Sequence, residues 1–360
     1  MGYNAKDIMK TIFDELISYS FIYSDFDEDD QLLNQVRYIK GNQNDVNILS
    51  RTKLSEEKYW YVPNSLSFKL IDNDQPYLVI ICESIIENLP YNISSINIPN
   101  GLLASAIFHS KVVIKKNLNR NEIYNSIAWQ YSGNENYDGH EIQDILNVLT
   151  PINIFKIDKF QNRSLLTILG SLVAKNKNFM SLDFVEDNLL QIENMFSFGP
   201  DSIPYRNLLN SLLSATYEHS FFELYKCIEA LYQVIFIVDL YDEIKPSCNL
   251  IDFLEATETK LNWRPYERTS IQKLFSRTPI YLFMDINFMD NTDPEKLANW
   301  IYDLRNRVVH LKQLQKSSSL SVGNWNSIMK FVLRLLEYWY SKYDSRLETA
   351  SNNVYEIIAP

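Results

Sequence analysis

The sequence predicts an α+β protein in which a mixed α/β domain precedes an all-helical domain. Short β-branched and aromatic segments, separated by Asn, Asp, Pro and Gly, are confined to the first third of the chain. Beyond residue 205, apolar residues recur almost everywhere at helical spacing. The segment FGPDSIP at 198–204 is dense in helix breakers. We therefore expect a regulatory or sensor domain at 1–198, a helical domain at 199–346 and a polar tail at 347–360.

The overall composition supports two folded domains. The chain has 360 residues, of which 46% are hydrophobic, so it can bury a sizeable core. Its net charge of −11 argues against a protein that coats nucleic acid with a generally basic surface. A local basic groove stays open, because phosphate binding responds to the local potential.

The cysteines and the apolar segments predict a cytoplasmic protein. Cys82, Cys227 and Cys248 fit neither a zinc pattern nor a disulfide framework, which indicates a reducing compartment. The first residues carry charges where a signal peptide would be apolar. The longest apolar run, Leu231–Tyr241, is too short to span a membrane.

The N-terminal domain begins with a predicted helix at Ala5–Tyr19, whose apolar residues lie on one stripe. Further helices are expected at 100–109 and 121–130. Four segments have strand-like texture. They are Tyr59–Val62, Ser67–Ile71, Tyr77–Cys82 and Lys111–Lys115.

The remaining chain is predicted to be helical, with short connections. The expected helices are 141–149, 164–174, 184–195, 205–216, 218–239, 249–260, 269–277, 292–315 and 325–343.

The sequence predicts no metal site or cofactor. Asp25, Asp27 and Asp29 resemble the start of a calcium loop, but such a loop needs glycine at its sixth position and glutamate at its twelfth. Here those positions are Asp30 and Val36, so a solvated acidic loop is the better interpretation. The histidines and cysteines have no ligand spacing, and no phosphate-binding or dinucleotide motif occurs.

The helix predicted at 292–315 has a well-defined start and one apolar face. Thr292 and Glu295 have the spacing of a capping box, and Pro294 falls in the first turn. Six apolar residues lie within an arc of about 100° on the helical wheel. They are Leu297, Trp300, Ile301, Leu304, Val308 and Leu311.

The opposite face of this helix carries the residues suited to chemistry. Arg305 and His310 point about 140° apart, with Tyr302, Asn306 and Val309 between them. A face that mixes these polar side chains with tyrosine and valine suits contact with another helix or with a second subunit. If the partner is a second copy, Tyr302 and Val309 are the expected dimer contacts.

These residue types fit RNA cleavage by attack of the 2′-hydroxyl on the adjacent phosphate. Histidine exchanges protons near neutral pH, and the planar guanidinium of arginine binds phosphate oxygens. Between Trp300 and Arg346, eight Lys or Arg face three Asp or Glu, a surplus of five positive charges. The spacing of Arg305 and His310 is nevertheless common by chance, so a purely structural role stays open.

With Asn306 directly after Arg305 and with His310 completing RNRVVH, the chain resembles the HEPN superfamily, the higher eukaryotes and prokaryotes nucleotide-binding domain. Its members are α-helical and usually dimeric, and carry an R-x(4–6)-H motif that often has a polar residue after the arginine. The resemblance covers residues 200–345 and is closest to the ApeA-like antiphage branch.

Two further segments have sequences similar to helices of that family. Tyr217–Phe236, YEHSFFELYKCIEALYQVIF, is similar to its early helix, and Trp325–Tyr343 is similar to its closing helix. Glu229 matches a position where many members hold an acidic or polar residue near the site. A helix-pairing or solvent-facing role for Glu229 stays equally open.

The resemblance implies a metal-independent endoribonuclease of the abortive-infection or toxin type. Arg305 would bind phosphate, His310 would transfer protons, and Asn306 would orient the histidine or the substrate. The implied partners are an RNA substrate, a second copy that completes the site, and a phage-derived trigger or cognate inhibitor. The alternative is a catalytically silent HEPN module that binds RNA or nucleotide and serves dimeric assembly.

One departure concerns regulation. Toxins of this family that are controlled by a nucleotidyltransferase carry a tyrosine two residues after the histidine, where this chain has Lys312. Control by modification of a tyrosine at that position is therefore not expected.

Overall fold

The fold is described from a computed structural model. The residues it describes are 4–20, 36–55, 59–60, 65–128, 137–159, 163–284, 286, 288–289, 293–309 and 320–347. The chain divides into two units, Met1–Leu165 and Leu166–Pro360. The acidic loop predicted at 25–30, and residues 348–360 of the predicted tail, lie outside the described residues.

The N-terminal unit combines an antiparallel sheet with helices. Its described helices are α1 (Ala5–Ser20), α2 (Gln43–Arg51), α3 (Asn100–Ser110), α4 (Arg120–Ala128) and α5 (Ile142–Leu146). Its described strands are β1 (Lys53–Leu54), β2 (Tyr59–Trp60), β3 (Leu66–Asp72), β4 (Gln75–Ile81), β5 (Ile93–Ser95) and β6 (Ile152–Ile157). The strands run in the order β1-β3-β4-β6-β5, and β2 also pairs with β3.

The central hairpin of the sheet confirms two predicted strands. β3 and β4 are joined by Asn73 and Asp74, both with positive φ, at 46° and 60°. This two-residue loop has the backbone that matches the twist of a hairpin, and Asn and Asp tolerate it. Asp72 therefore pairs with Gln75, and the register places Val79 opposite Phe68. Alternate apolar side chains of both strands form a buried cluster with α3.

The sequence-based assignment is wrong at one strand and incomplete at others. Lys111–Lys115 is not a strand, because Lys111 and Val112 take the left-handed conformation that ends α3. Within that segment only Ile114 makes a β-bridge, to Leu149. The strands β1, β5 and β6 and the helix α2 were not predicted. β6 completes the centre of the sheet by pairing with β4.

Helix α1 confirms its predicted apolar stripe, and α2 packs close to α3. Ile8, Ile12 and Leu16 of α1 are fully covered. The N–H of Gly101 in α3 donates to Oδ1 of Asp45 in α2 at 3.0 Å. A Cβ at position 101 would lie 2.2 Å from the carbonyl oxygen of Asp45, so the two helices approach this closely only with glycine there.

The C-terminal unit contains only helical elements among its described residues. Its long helices are α6 (Leu165–Lys175), α7 (Glu186–Phe198), α8 (Tyr205–Leu213), α9 (Tyr217–Glu229), α10 (Tyr232–Ile244), α11 (Leu250–Leu261), α12 (Glu267–Ser276), α13 (Pro294–Val309) and α14 (Val322–Leu347). The sheet of the first unit and these helices confirm the α+β class. No helix among the described residues is both long and apolar enough to cross a membrane.

Helix α14 runs through the core of this unit and ties several helices together. Its Trp339 is fully buried and donates from Nε1 to the Thr278 hydroxyl at 3.0 Å. The hydroxyl of Tyr340 donates to the carbonyl of Cys227 in α9 at 2.9 Å. Buried polar groups need such partners, so these bonds fix α14 against α9 and the end of α12.

The breaker-rich segment at 198–204 connects two helices inside the C-terminal unit, whereas we expected a domain boundary at 198/199. The Asn188 amide in α7 donates to the carbonyl of Asn326 in α14 at 2.9 Å. The Tyr205 hydroxyl donates across the turn to the carbonyl of Met195, also at 2.9 Å. Helix α7 thus packs with the later helices, and the units divide at Leu165/Leu166 instead.

The helix predicted at 218–239 is divided into α9 and α10. Between them, the N–H of Leu231 bonds to the carbonyl of Ile228 at 3.0 Å, a spacing of three residues and not four. Just beyond, the Tyr225 and Tyr232 hydroxyls lie 2.7 Å apart. The tightened turn separates α10 from the C-terminal end of α9, where Glu229 lies.

Candidate active site

Helix α13 positions Arg305 and Asn306 of the predicted motif. Leu297, Ile301 and Leu304 are buried, as the predicted apolar stripe requires. Of the other stripe members, Trp300 and Val308 are half-buried, and Leu311 lies outside the described residues. The helix therefore rests on its apolar face.

The start of α13 is described from Asp293 onward. Thr292, which belongs to the predicted capping box, lies outside the described residues. The side chain of Asp293 accepts a hydrogen bond from the N–H of Glu295 at 3.0 Å. A carboxylate at this end also opposes the positive pole of the helix.

Arg305 lies beside the apolar stripe and points toward another helix of the same chain. Its Nη2 donates to Oε1 of Glu229 in α9 at 2.9 Å. Its Nη1 donates to Oδ1 of Asn306 at 3.1 Å. The side chain is only 16% exposed, and the guanidinium carbon lies 5.8 Å from the ring centre of Tyr225. This face of α13 was expected to contact either another helix or a second subunit, and Arg305 contacts another helix, α9.

Glu229 and Arg305 form an ion pair in a partly desolvated site. Burial raises the pKa of Glu229, the positive charge of Arg305 lowers it, and the nearby Glu267 raises it again, with a net increase. Burial lowers the pKa of Arg305, but the two carboxylates more than offset this, so its pKa is raised. The guanidinium is thus a permanent cation facing a carboxylate that protonates more readily than usual.

Two tyrosines form the apolar side of the site around the Arg305–Glu229 ion pair. Tyr225 and Tyr232 are both buried, and burial raises the pKa of each hydroxyl. Both hydroxyls therefore keep their protons near neutral pH and serve as hydrogen-bonding groups. Their mutual bond satisfies two polar groups that would otherwise be buried without partners.

Glu267, the first residue of α12, is the member of the site that the sequence did not reveal. Its Oε2 lies 3.4 Å from Nη1 of Arg305, and its side chain is 44% exposed. It precedes the helix predicted at 269–277 and has no motif spacing to Arg305. No signal in the sequence could have identified it, because only the packing of α12 against α13 brings the two residues together.

The remaining predicted residues differ in their surroundings. Asn306 is half-buried, and its Oδ1 accepts from Arg305, so it orients the arginine. Tyr302 is half-buried, with Arg268 of α12 located 5.3 Å from its ring centre. Val309 is 39% exposed and available for contact with another molecule. His310 lies outside the described residues.

The structure thus brings together Arg305, Asn306 and Glu229 from the predicted set and adds Glu267 and Tyr225. Chemically, the arrangement is a guanidinium with a fixed orientation, flanked by carboxylates and backed by an aromatic ring. Among the residues that the structure describes, no three His, Cys, Asp or Glu side chains converge as metal ligands would.

Comparison of the chain with protein-family models, with curated proteins and with solved structures gave no match.

Proposed function

We propose that this protein is a metal-independent endoribonuclease that acts in antiphage defence or as a toxin. The observation that carries the proposal is the oriented guanidinium of Arg305, which Glu229 and Asn306 hold on α13 five residues before His310. A fixed, permanent cation is what the developing charge of a phosphoryl transition state requires.

The proposed reaction is a transesterification within the RNA. The 2′-oxygen bonds to the adjacent phosphorus, and a base accepts its proton. The bond between phosphorus and the 5′-oxygen breaks, and an acid donates a proton to that oxygen. The products are a 2′,3′-cyclic phosphate and a free 5′-hydroxyl. Arg305 stabilises the charge on the phosphate oxygens, and His310 supplies one of the two proton transfers.

A second copy of the chain would supply the other proton transfer. Helical spacing predicts that Arg305 and His310 point about 140° apart, so we do not expect one chain to close a site around a phosphate. A two-fold axis beside the exposed Val309 would bring two such faces together, with His310 of the partner subunit across the cleft. We propose a homodimer with a composite active site.

The cleavage chemistry is tested with purified protein, single-stranded RNA and excess chelator. We expect cleavage by the wild type, with ends that carry 2′,3′-cyclic phosphate. Arg305→Ala and His310→Ala should each lower the cleavage rate at least about a hundredfold, the usual order for removal of a transition-state contact or a proton-transfer group. His219→Ala is the matched control, because His219 is exposed on α9 and is not assigned to the site. Cleavage that depends on added metal, or equal rates for all variants, would refute the mechanism.

The alternative function, a catalytically silent module for RNA binding and assembly, is favoured by one specific observation. Both Glu229 and Glu267 already occupy the guanidinium of Arg305, as a purely structural ion pair would. If the wild type binds RNA and forms dimers but leaves the RNA intact, this alternative replaces the nuclease.

A further inference from the structure

The two carboxylates around Arg305 are not equivalent. Glu229 bonds to Nη2 at 2.9 Å, and its side chain is 27% exposed. Glu267 approaches the guanidinium only to 3.4 Å and 3.5 Å, and its side chain is 44% exposed. The closer and more buried carboxylate holds the arginine, and the more distant one lies at the solvent side.

The carboxylates around the guanidinium oppose the binding of a phosphate in the observed arrangement. One positive charge faces two carboxylates, so an incoming phosphodiester meets a net negative group. A planar guanidinium binds phosphate best with two parallel N–H bonds, but its Nη1 and Nη2 atoms are already engaged by Glu229, Glu267 and Asn306. A phosphate can therefore bind Arg305 closely only after one carboxylate leaves.

Glu267 is the carboxylate that is free to leave. It is the first residue of α12, and its neighbour Tyr266, at the helix cap, is 85% exposed. Rotation of its side chain would transfer the carboxylate to water without disturbing a buried helix. Glu229 is located where α9 meets the tight turn before α10, among buried side chains, so its displacement would leave a carboxylate desolvated without its cation.

We propose that Glu267 occupies the phosphate position on Arg305 in the free protein and that a phosphodiester of RNA displaces it. This inference deepens the proposed function, and it rests on RNA being the ligand of Arg305. Glu229 remains bound throughout as the positioning residue. Glu267 thus lowers the affinity for weakly binding RNA, because each binding event must first break its contact with the guanidinium.

The experiment measures binding separately from cleavage. The probe is a short fluorescently labelled 2′-O-methyl RNA, which lacks the attacking hydroxyl, and its affinity is measured by fluorescence polarisation. Glu267→Gln should raise the affinity about threefold to tenfold, the range expected for loss of a competing, partly exposed ion pair. Glu267→Asp keeps the charge but shortens the side chain, so it should also raise the affinity, by less.

The controls separate competition at Arg305 from a general change in charge. Glu258→Gln removes a comparable carboxylate, 34% exposed and paired with Arg264 at 2.9 Å, and should leave the affinity unchanged. In an Arg305→Ala background, Glu267→Gln should have no effect. An unchanged affinity for Glu267→Gln would overturn the proposal. An equal gain from Glu258→Gln, or a gain that persists without Arg305, would do the same.

Failure of this inference is distinguishable from failure of the proposed nuclease. Suppose that Glu267→Gln binds the probe more tightly than the wild type does, while natural RNA stays intact. This result would support competition by Glu267 and refute the nuclease. If natural RNA is cleaved but Glu267→Gln binds the probe with the same affinity as the wild type, the result would support the nuclease and refute competition by Glu267.

Discussion

The ion pair between Arg305 and Glu229 should couple α13 to α9 by a measurable free energy. Two unit charges about 4 Å apart attract by about 4 kcal/mol at an effective dielectric constant of about 20. Nη2 and Oε1 lie 2.9 Å apart, with side chains 16% and 27% exposed, so desolvation of both partners cancels a large part of this attraction. Fully exposed pairs contribute about 0.2–1 kcal/mol. For this half-buried pair we expect a coupling of about 1–2 kcal/mol.

A double-mutant cycle measures this coupling. The variants are Arg305→Met, which keeps aliphatic packing near the Tyr225 ring, Glu229→Gln and the double variant. The free energy of unfolding is obtained from urea titration followed by circular dichroism at neutral pH. A coupling energy within about 0.3 kcal/mol of zero would refute the stabilising role of the pair.

The same variants give a pH dependence with a defined sign. Burial raises the pKa of Glu229, so this group takes up a proton on folding between its ordinary and its raised pKa. Its contribution to the free energy of unfolding therefore falls as pH rises through that window. Arg305 opposes the increase, so Arg305→Met should raise the pKa further. The loss of stability should then be larger near about pH 7 than near about pH 5, whereas equal losses would contradict this assignment.

Two further predictions concern packing and a buried histidine. Gly170→Ala should destabilise the C-terminal unit by about 1–3 kcal/mol in urea unfolding, because its Cβ would lie 2.1 Å from the buried ring of Phe196. Gly323→Ala, whose Cβ would make only an ordinary contact of 3.8 Å with the Ser321 Oγ, is the control and should not destabilise. Burial and the charge of Arg37 lower the pKa of His140 to about 4. Neutral His140 therefore makes its full contribution to the free energy of unfolding above pH 6.5. As the pH falls toward 4, this contribution is lost, which lowers the free energy of unfolding by about 3 kcal/mol at most. His140→Phe should remove this dependence, and a ring resonance that titrates near pH 6.5 in the wild type would show the assignment to be wrong.

Much of the local structure was predictable because its signal lies in neighbouring residues. The apolar stripes of α1 and α13 follow the helical repeat; that of α1 is buried as expected, and in α13 Leu297, Ile301 and Leu304 are buried. The strands β3 and β4 were predicted from their β-branched and aromatic residues. The error at Lys111–Lys115 arose where local texture favoured a strand, but Lys111 and Val112 adopt the backbone that ends α3.

The candidate site shows where local signals end. Residue type and the HEPN resemblance were sufficient to select Arg305, Asn306 and Glu229, but not to show that Arg305 bonds to both of the others. The structure adds a contact between Asn306 and Arg305, and the prediction that Asn306 orients the histidine or the substrate stays a prediction. Pairing across 76 positions of chain depends on how α9 packs on α13, which no spacing within either helix encodes.

By itself, the sequence determined the α+β class, most of the helices and the chemical character of the RNRVVH segment, because each depends on periodicity or residue type within a short stretch. The tertiary structure alone decided the turn that divides α9 from α10, the division of the units at Leu165/Leu166 and the arrival of Glu267 at the guanidinium. These depend on contacts between residues far apart in the chain. The charge environment of Arg305, and with it the competition proposed here, follows from that packing.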